Sequence, residues 1–104
     1  MSQPLVLVVE LWIAPGQAAE FDRFETAAAS IMVRRGGSIA RRMGVAGKHG
    51  SDEPDEVHVV TFPSRAAYEA YRADPALSSL SALRAKAVLR TVIWEGVDLP
   101  PFGA

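Results

Sequence analysis

Apolar residues follow one another almost without a break from Leu5 to Ile13, LVLVVELWI, and such a run predicts a strand buried on both faces. Pro15 and Gly16 end it. From Gln17 to Arg35 the period changes. Phe21, Phe24, Ala28, Ile31 and Met32 recur at helical spacing, while Glu20, Asp22, Arg23, Glu25 and Arg34 fall mostly on the other side. The pattern predicts an amphipathic helix lying on a sheet. Its acids come early and its arginines late, as the helix macrodipole favours, and Gly36 and Gly37 offer a left-handed exit.

The alternation in SIARRM, residues 38 to 43, suits an edge strand whose arginines discourage a stray partner. Residues 44 to 55, GVAGKHGSDEPD, carry the glycines, proline and acids of a long hairpin loop. Next comes the stretch around which the chain is organised. Val57, Val59, Val60, Thr61 and Phe62 suit a pleated backbone, Pro63 stops the ladder, and Ser64 caps a helix. That helix should break at Asp74 and Pro75, where Asp74 can cap a second piece with Pro75 at its first position. Leu77, Leu80 and Leu83 should face the sheet. A last strand is expected over residues 88 to 95, followed by an extended, proline-rich arm over 99 to 104.

The order strand, helix, strand, strand, helix, strand predicts an α+β fold of ferredoxin-like βαββαβ type. It has a four-stranded antiparallel sheet and two helices on one face. One domain accounts for residues 1 to 104, with its core over 5 to 98. Both sheet faces are apolar. In the first strand Leu5, Leu7, Val9, Leu11 and Ile13 oppose Val6, Val8, Glu10 and Trp12; in the last, Leu89, Thr91 and Ile93 oppose Val88, Arg90, Val92 and Trp94. The sets holding the tryptophans are assigned to the helix-free face, because their polar members would be hard to satisfy beneath helices. An apolar face of that size calls for a second copy, so a homodimer is expected.

Composition narrows the function. The chain is 49% hydrophobic and 22% charged with a net charge of -1, which argues against a nucleic-acid partner. Arg34, Arg35, Arg41 and Arg42 cluster in sequence without the aromatic residues that stack on bases. The absence of cysteine removes disulfides and thiolate chemistry and makes the cytoplasm the expected compartment. The first apolar run is too short for a membrane span and is interrupted by Glu10.

Two stretches carry a resemblance. IAPGQAAEFDRFETAAASIMVRRGG and FPSRAAYEAYRADP resemble the DUF1330 family of the dimeric α+β barrel superfamily, with the antibiotic-biosynthesis-monooxygenase-like group close to it. The resemblance covers roughly residues 5 to 98 and rests on turn and cap residues: Pro15-Gly16, Gly36-Gly37 and Phe62-Pro63-Ser64. It implies a dimer packed sheet against sheet, with a cleft between sheet and helices or inside the barrel. It carries over no catalytic residue.

Candidate chemistry comes from the strands. If the first and third strands pair about Val9 and Val59, then Glu10 falls opposite His58 and Arg90 lies close by. That would make a carboxylate, imidazole and guanidinium set for acid-base work, or a self-satisfied ion-pair network. Trp12, Trp94 and Phe62 are candidate ligand-binding aromatics, and Tyr68 and Tyr71 candidate hydroxyl donors, although aromatics on a sheet are more often core. His49, near Asp52, Glu53 and Asp55, lacks metal-ligand spacing, and neither a metal nor a cofactor is implied. Two functions compete: a cofactor-independent enzyme of monooxygenase or isomerase type on a small aromatic or enolisable compound, and a non-catalytic dimeric ligand-binding or stress-related module. Haem handling, a third, would need an accessible histidine.

Overall fold

The computed structural model describes residues 3–47, 50 and 52–103. Strand β1 (Leu5–Ile13) leads to helix α1 (Ala18–Arg34), then to β2 (Ser38–Gly44) and β3 (Glu56–Phe62). Helices α2 (Arg65–Arg72), α3 (Pro75–Ser78) and α4 (Ser81–Ala87) follow, and β4 (Val88–Gly96) completes the sheet. The strands lie in the order β2-β3-β1-β4, every neighbouring pair antiparallel, which is the ferredoxin-like arrangement the alternation predicted.

Local chemistry sets the element ends. The Gly37 N–H donates to the Met32 carbonyl at 2.9 Å and the Gly36 N–H to Val33 at 3.0 Å, the paired bonds of a Schellman stop, with Gly36 at φ 84°. Ser64 accepts from the Ala67 N–H at 3.1 Å, and Asp74 accepts from the Ala76 N–H at 2.9 Å with Pro75 directly after it. Arg35 reaches from the end of α1 to Asp74 at 3.1 Å and so pins the two helical segments together. One break was not foreseen. The Ser79 hydroxyl donates to the Ala76 carbonyl at 2.6 Å, a local bond of the kind that competes with helix continuation, and α4 begins only at Ser81.

The register corrects one sequence expectation. Val9 pairs with His58 and Val8 with Val59, so His58 shares the face of Leu7, Val9 and Leu11, beneath the helices, while Glu10 stands across from Val57 on the other face. A second correction concerns Val88. An irregularity between Trp12 and Ile13 puts Val88 opposite Ile13, and Val88 is buried on the helix side with Leu11, Phe21, Phe24, Ala28 and Ala87. A second cluster, Leu5, Leu7, Met32, Val60, Phe62 and Tyr68, fills the other end of the same layer.

The helix-free face carries Val6, Val8, Val57, Val59 and Val92, all half-buried, together with the exposed Met43 and Trp94. Asp55 closes the loop over the end of β1: its N–H donates to the Leu11 carbonyl at 2.8 Å and its carboxylate accepts from the Ile13 N–H at 2.7 Å. His49 lies outside the described residues. Among the described residues no helix is long and apolar enough to cross a membrane, and no His, Asp and Glu group is arranged to hold a metal.

Candidate functional site

Between the two core clusters the helices stand off the sheet and leave a cavity of about 330 Å³. Val9, Leu11 and Val60 form part of its sheet wall, Phe24, Ala28 and Met32 of α1 lie above, and Phe62, Tyr68 and Tyr71 line one end. A volume of this size is what a small-molecule site requires. The Phe62 ring packs against Tyr68 and Tyr71, with centroids 5.3 and 5.5 Å away. Burial pushes the Tyr71 hydroxyl up to about 12 and raises that of Tyr68, so both stay protonated donors at neutral pH.

The polar groups converge on His58, which is 2% exposed. Its neighbour two residues back, Glu56, necessarily projects from the same face of β3, and His58 Nε2 lies 2.9 Å from Glu56 Oε1. Arg42 of β2, paired with His58 in the ladder, donates through Nε to Glu56 Oε1 at 2.6 Å and through a terminal nitrogen to Oε2 at 2.8 Å. This two-pronged hydrogen bond, ahead of the weaker one from His58, holds the Glu56 carboxyl below the usual carboxylate range. An ionised Glu56 can only accept, so Nε2 carries the proton it donates. Nδ1 is then the bare nitrogen of the neutral ring.

Nδ1 looks toward Glu25 of α1, whose Oε2 is 3.9 Å away, beyond a direct hydrogen bond. Burial raises the Glu25 carboxyl above its ordinary value, and the nearby His58 pulls in the opposite direction. Glu25 and His58 both line the main cavity and also a side cavity of about 370 Å³ with Asp22, Thr26, Ile39 and Arg42. The cluster thus combines an ionised acid, an oriented imidazole and a carboxyl biased toward its protonated form. Pairs of acids whose environments push them apart are the raw material of proton transfer.

The structure separates the residues that the sequence suggested together. Glu10 accepts from the Trp94 indole N–H at 2.7 Å on the helix-free face, and Arg90 lies 4.5 Å over the Trp12 ring on that same face. His58 is on the opposite side of the sheet, so Glu10, His58 and Arg90 do not form one cluster. The cause is a register one residue removed from the expected one. The aromatic trio divides likewise: Phe62 lines the cavity, whereas Trp12 is buried and Trp94 is 64% exposed on the helix-free face. Haem ligation would have to displace the Glu56 hydrogen bond at His58 Nε2 or reach the buried Nδ1 through the cavity. Sequence reasoning missed Glu56, Glu25 and Arg42. Glu56 was within reach, because residues two apart on a strand share a face whatever the register.

Comparison with known proteins places this architecture. Residues 9–97 match the family described as a domain of unknown function, DUF1330. No curated protein matches the chain. Among solved structures, a protein of unknown function from Rhodopseudomonas palustris superposes with a TM-score of 0.81 at 19% identity, covering 97% of this chain and 86% of its own. SnoaB, a cofactor-independent oxygenase from Streptomyces nogalater, gives a TM-score of 0.73 at 13% identity over 99% of this chain and 100% of its own. A dabb family protein with a ferredoxin-like fold from Mesorhizobium loti gives 0.69 at 18% identity over 93% and 98%. At these identities the likeness is one of fold.

Proposed function

The chain belongs to the DUF1330 family, and from the chemistry of its cleft we propose that it is a cofactor-independent enzyme that removes a proton from a small enolisable or aromatic compound. One observation carries the reading: the buried imidazole of His58 is held at Nε2 by the ionised Glu56, which leaves Nδ1 as a base beside an apolar cavity. In the step envisaged, a carbon acid in the cleft gives its proton to His58 Nδ1. The C–H electron pair moves into an enolate, and Glu56 stabilises the imidazolium. Glu25, kept toward its protonated form by burial, can return a proton to a second position, which is an isomerisation. Alternatively the enolate carbon gives its electrons to dioxygen, forming a C–O bond, and the peroxide so formed takes up the proton held on His58.

The helix-free face serves assembly in this reading. Its valines and the exposed Trp94 would be covered by the same face of a second copy, giving a cytoplasmic homodimer in which Glu10, Arg90, Trp12 and Trp94 act at the contact rather than in the chemistry.

A panel of small ketones, keto acids and hydroxyaromatic compounds incubated with the protein in heavy water tests the proposal by NMR, with oxygen uptake followed in parallel. Exchange or turnover that His58→Gln abolishes is the expected result. Binding without exchange or oxygen uptake would reject catalysis and leave the ligand-binding alternative.

A further inference from the structure

Two guanidinium groups line the main cavity, and they are differently engaged. Arg72 lies 5.5 Å over the Tyr68 ring and 3.9 Å from Glu69. Arg84 of α4 donates to a neutral partner, the Thr91 hydroxyl, at 2.9 Å, and among the described residues no carboxylate lies within 4.0 Å of it. A guanidinium presents five donors in a planar fork suited to a carboxylate. Here the fork is tethered at the edge of a largely apolar cavity without an acid to meet it. Its charge reaches two groups across that cavity, Glu25 and Tyr71, where it offsets a small part of the upward shift that burial imposes on each.

We infer that Arg84 is the anchor of an anionic headgroup, and that the cleft takes a small organic monoacid whose apolar body lies over Val9 and Leu11. The sheet register sets the dimensions. His58, Val9 and Ile93 stand in one row across the strands, and Glu56, Leu11 and Thr91 in the next. Thr91, to which Arg84 is tied, is therefore two strand spacings from the Glu56–His58 strand, about 10 Å between backbones, and the side chains from both ends shorten that span. An acid group on Arg84 and a reactive carbon near His58 are thus separated by roughly the width of one aromatic ring or a short branched chain. Ser81 at the start of α4, the helix of Arg84, and Ser78 at the end of α3 also line the cavity and can add hydroxyl contacts to the acid. The position of the reactive carbon rests on the reading of His58 as a base; the anion anchor does not.

Three probes separate the terms: phenylpyruvate, an enolisable anion; 3-phenylpropanoate, an anion without the ketone; and phenylacetone, the neutral ketone. Calorimetric titration of the intact protein should show both anions binding at least about tenfold more tightly than phenylacetone, since a charge-assisted two-pronged bond is worth that much or more. Arg84→Gln should remove this advantage and leave phenylacetone binding unchanged, Arg84→Lys should restore part of it, and Arg23→Gln, exposed on α1 and outside the main cavity lining, should change nothing. Equal affinity for the neutral and anionic probes, unaltered anion binding in Arg84→Gln, or no anion binding up to roughly 10 mM would each overturn the inference. Deuterium exchange into phenylpyruvate, read separately with His58→Gln, isolates the base. Anion binding that depends on Arg84 but comes without exchange would support the anchor while ending the proton-transfer reading.

Discussion

Glu56 and His58, two residues apart on β3, are joined at 2.9 Å on the covered face of the sheet, and Arg42 grips both oxygens of the same carboxylate. The imidazole is thereby fixed in ring orientation and in tautomer. Glu56→Gln should preserve the fold but allow the amide to donate to Nε2, so that the proton moves to Nδ1 and the base is lost. Turnover or exchange should fall at least about a hundredfold, at the lower end of what general base catalysis contributes, while ligand affinity stays within a few-fold. An unchanged rate would show that the tautomer is irrelevant.

Removal of the ring itself has a structural cost. His58→Ala removes the hydrogen bond to Glu56 and opens a hole beneath the helices, so thermal or urea unfolding should show a loss of about 1 to 3 kcal/mol. A variant as stable as the parent would mean that the polar cluster contributes nothing to folding.

Glu25 has the opposite character. Burial raises its carboxyl in the folded chain, so the folded state holds a proton that the unfolded chain gives up more readily. Stability from this group is present below the unfolded value and is lost as pH rises through the folded one. Glu25→Gln should therefore raise the melting temperature at pH 7 to 8, with the difference shrinking in mild acid. The same difference at both ends of the pH range would place Glu25 in an ordinary solvated setting.

Assembly can be tested on the other face. Val8, half-buried in the single chain beside Val59 and Trp94, would be sealed at the dimer contact. Val8→Asp should abolish the dimer or the fold, since an unpaired buried charge costs several kcal/mol. Sedimentation of the parent protein as a well-folded monomer at micromolar concentration would eliminate the contact altogether.

The arm beyond the last strand gives a finer test. Leu99 is 81% exposed and Phe102 wholly so, two apolar side chains in a segment whose prolines already restrict its conformations. If they lie against the partner subunit, truncation after Asp98 should raise the dimer dissociation constant. An identical constant would leave the arm without a role in assembly.

Much of the fold was readable because each boundary has a local chemical cause. Pro63 with Ser64, Asp74 with Pro75, and Gly36 with Gly37 act through bonds to residues at most five positions away. The candidate site was less readable, because it depends on a long-range alignment of β1 with β3. The alternation of β1 and β3 correctly identified which residues travel together, yet both faces are apolar. Hydrophobicity alone therefore could not reject a shift that carries His58 to the wrong side. Glu25 and Arg42 were hidden for a related reason: each belongs to a pattern that reads as solvated surface until the neighbouring element is in place.

The stop of α1 has a bearing on the cavity that its hydrogen bonds do not reveal. A side-chain carbon placed at Gly37 would fall 2.5 Å from the Phe62 ring and 2.8 Å from Met32, both of which line the cleft. Gly37 thus works from behind as a spacer, and its single hydrogen lets the ring sit back from the chamber. Enlarging this residue would drive the ring forward and shorten the chamber without altering any atom that touches its occupant. The depth of the binding space is in this sense governed from outside it, and ligands of graded length, compared between the parent and Gly37→Ala, would measure that depth like a gauge.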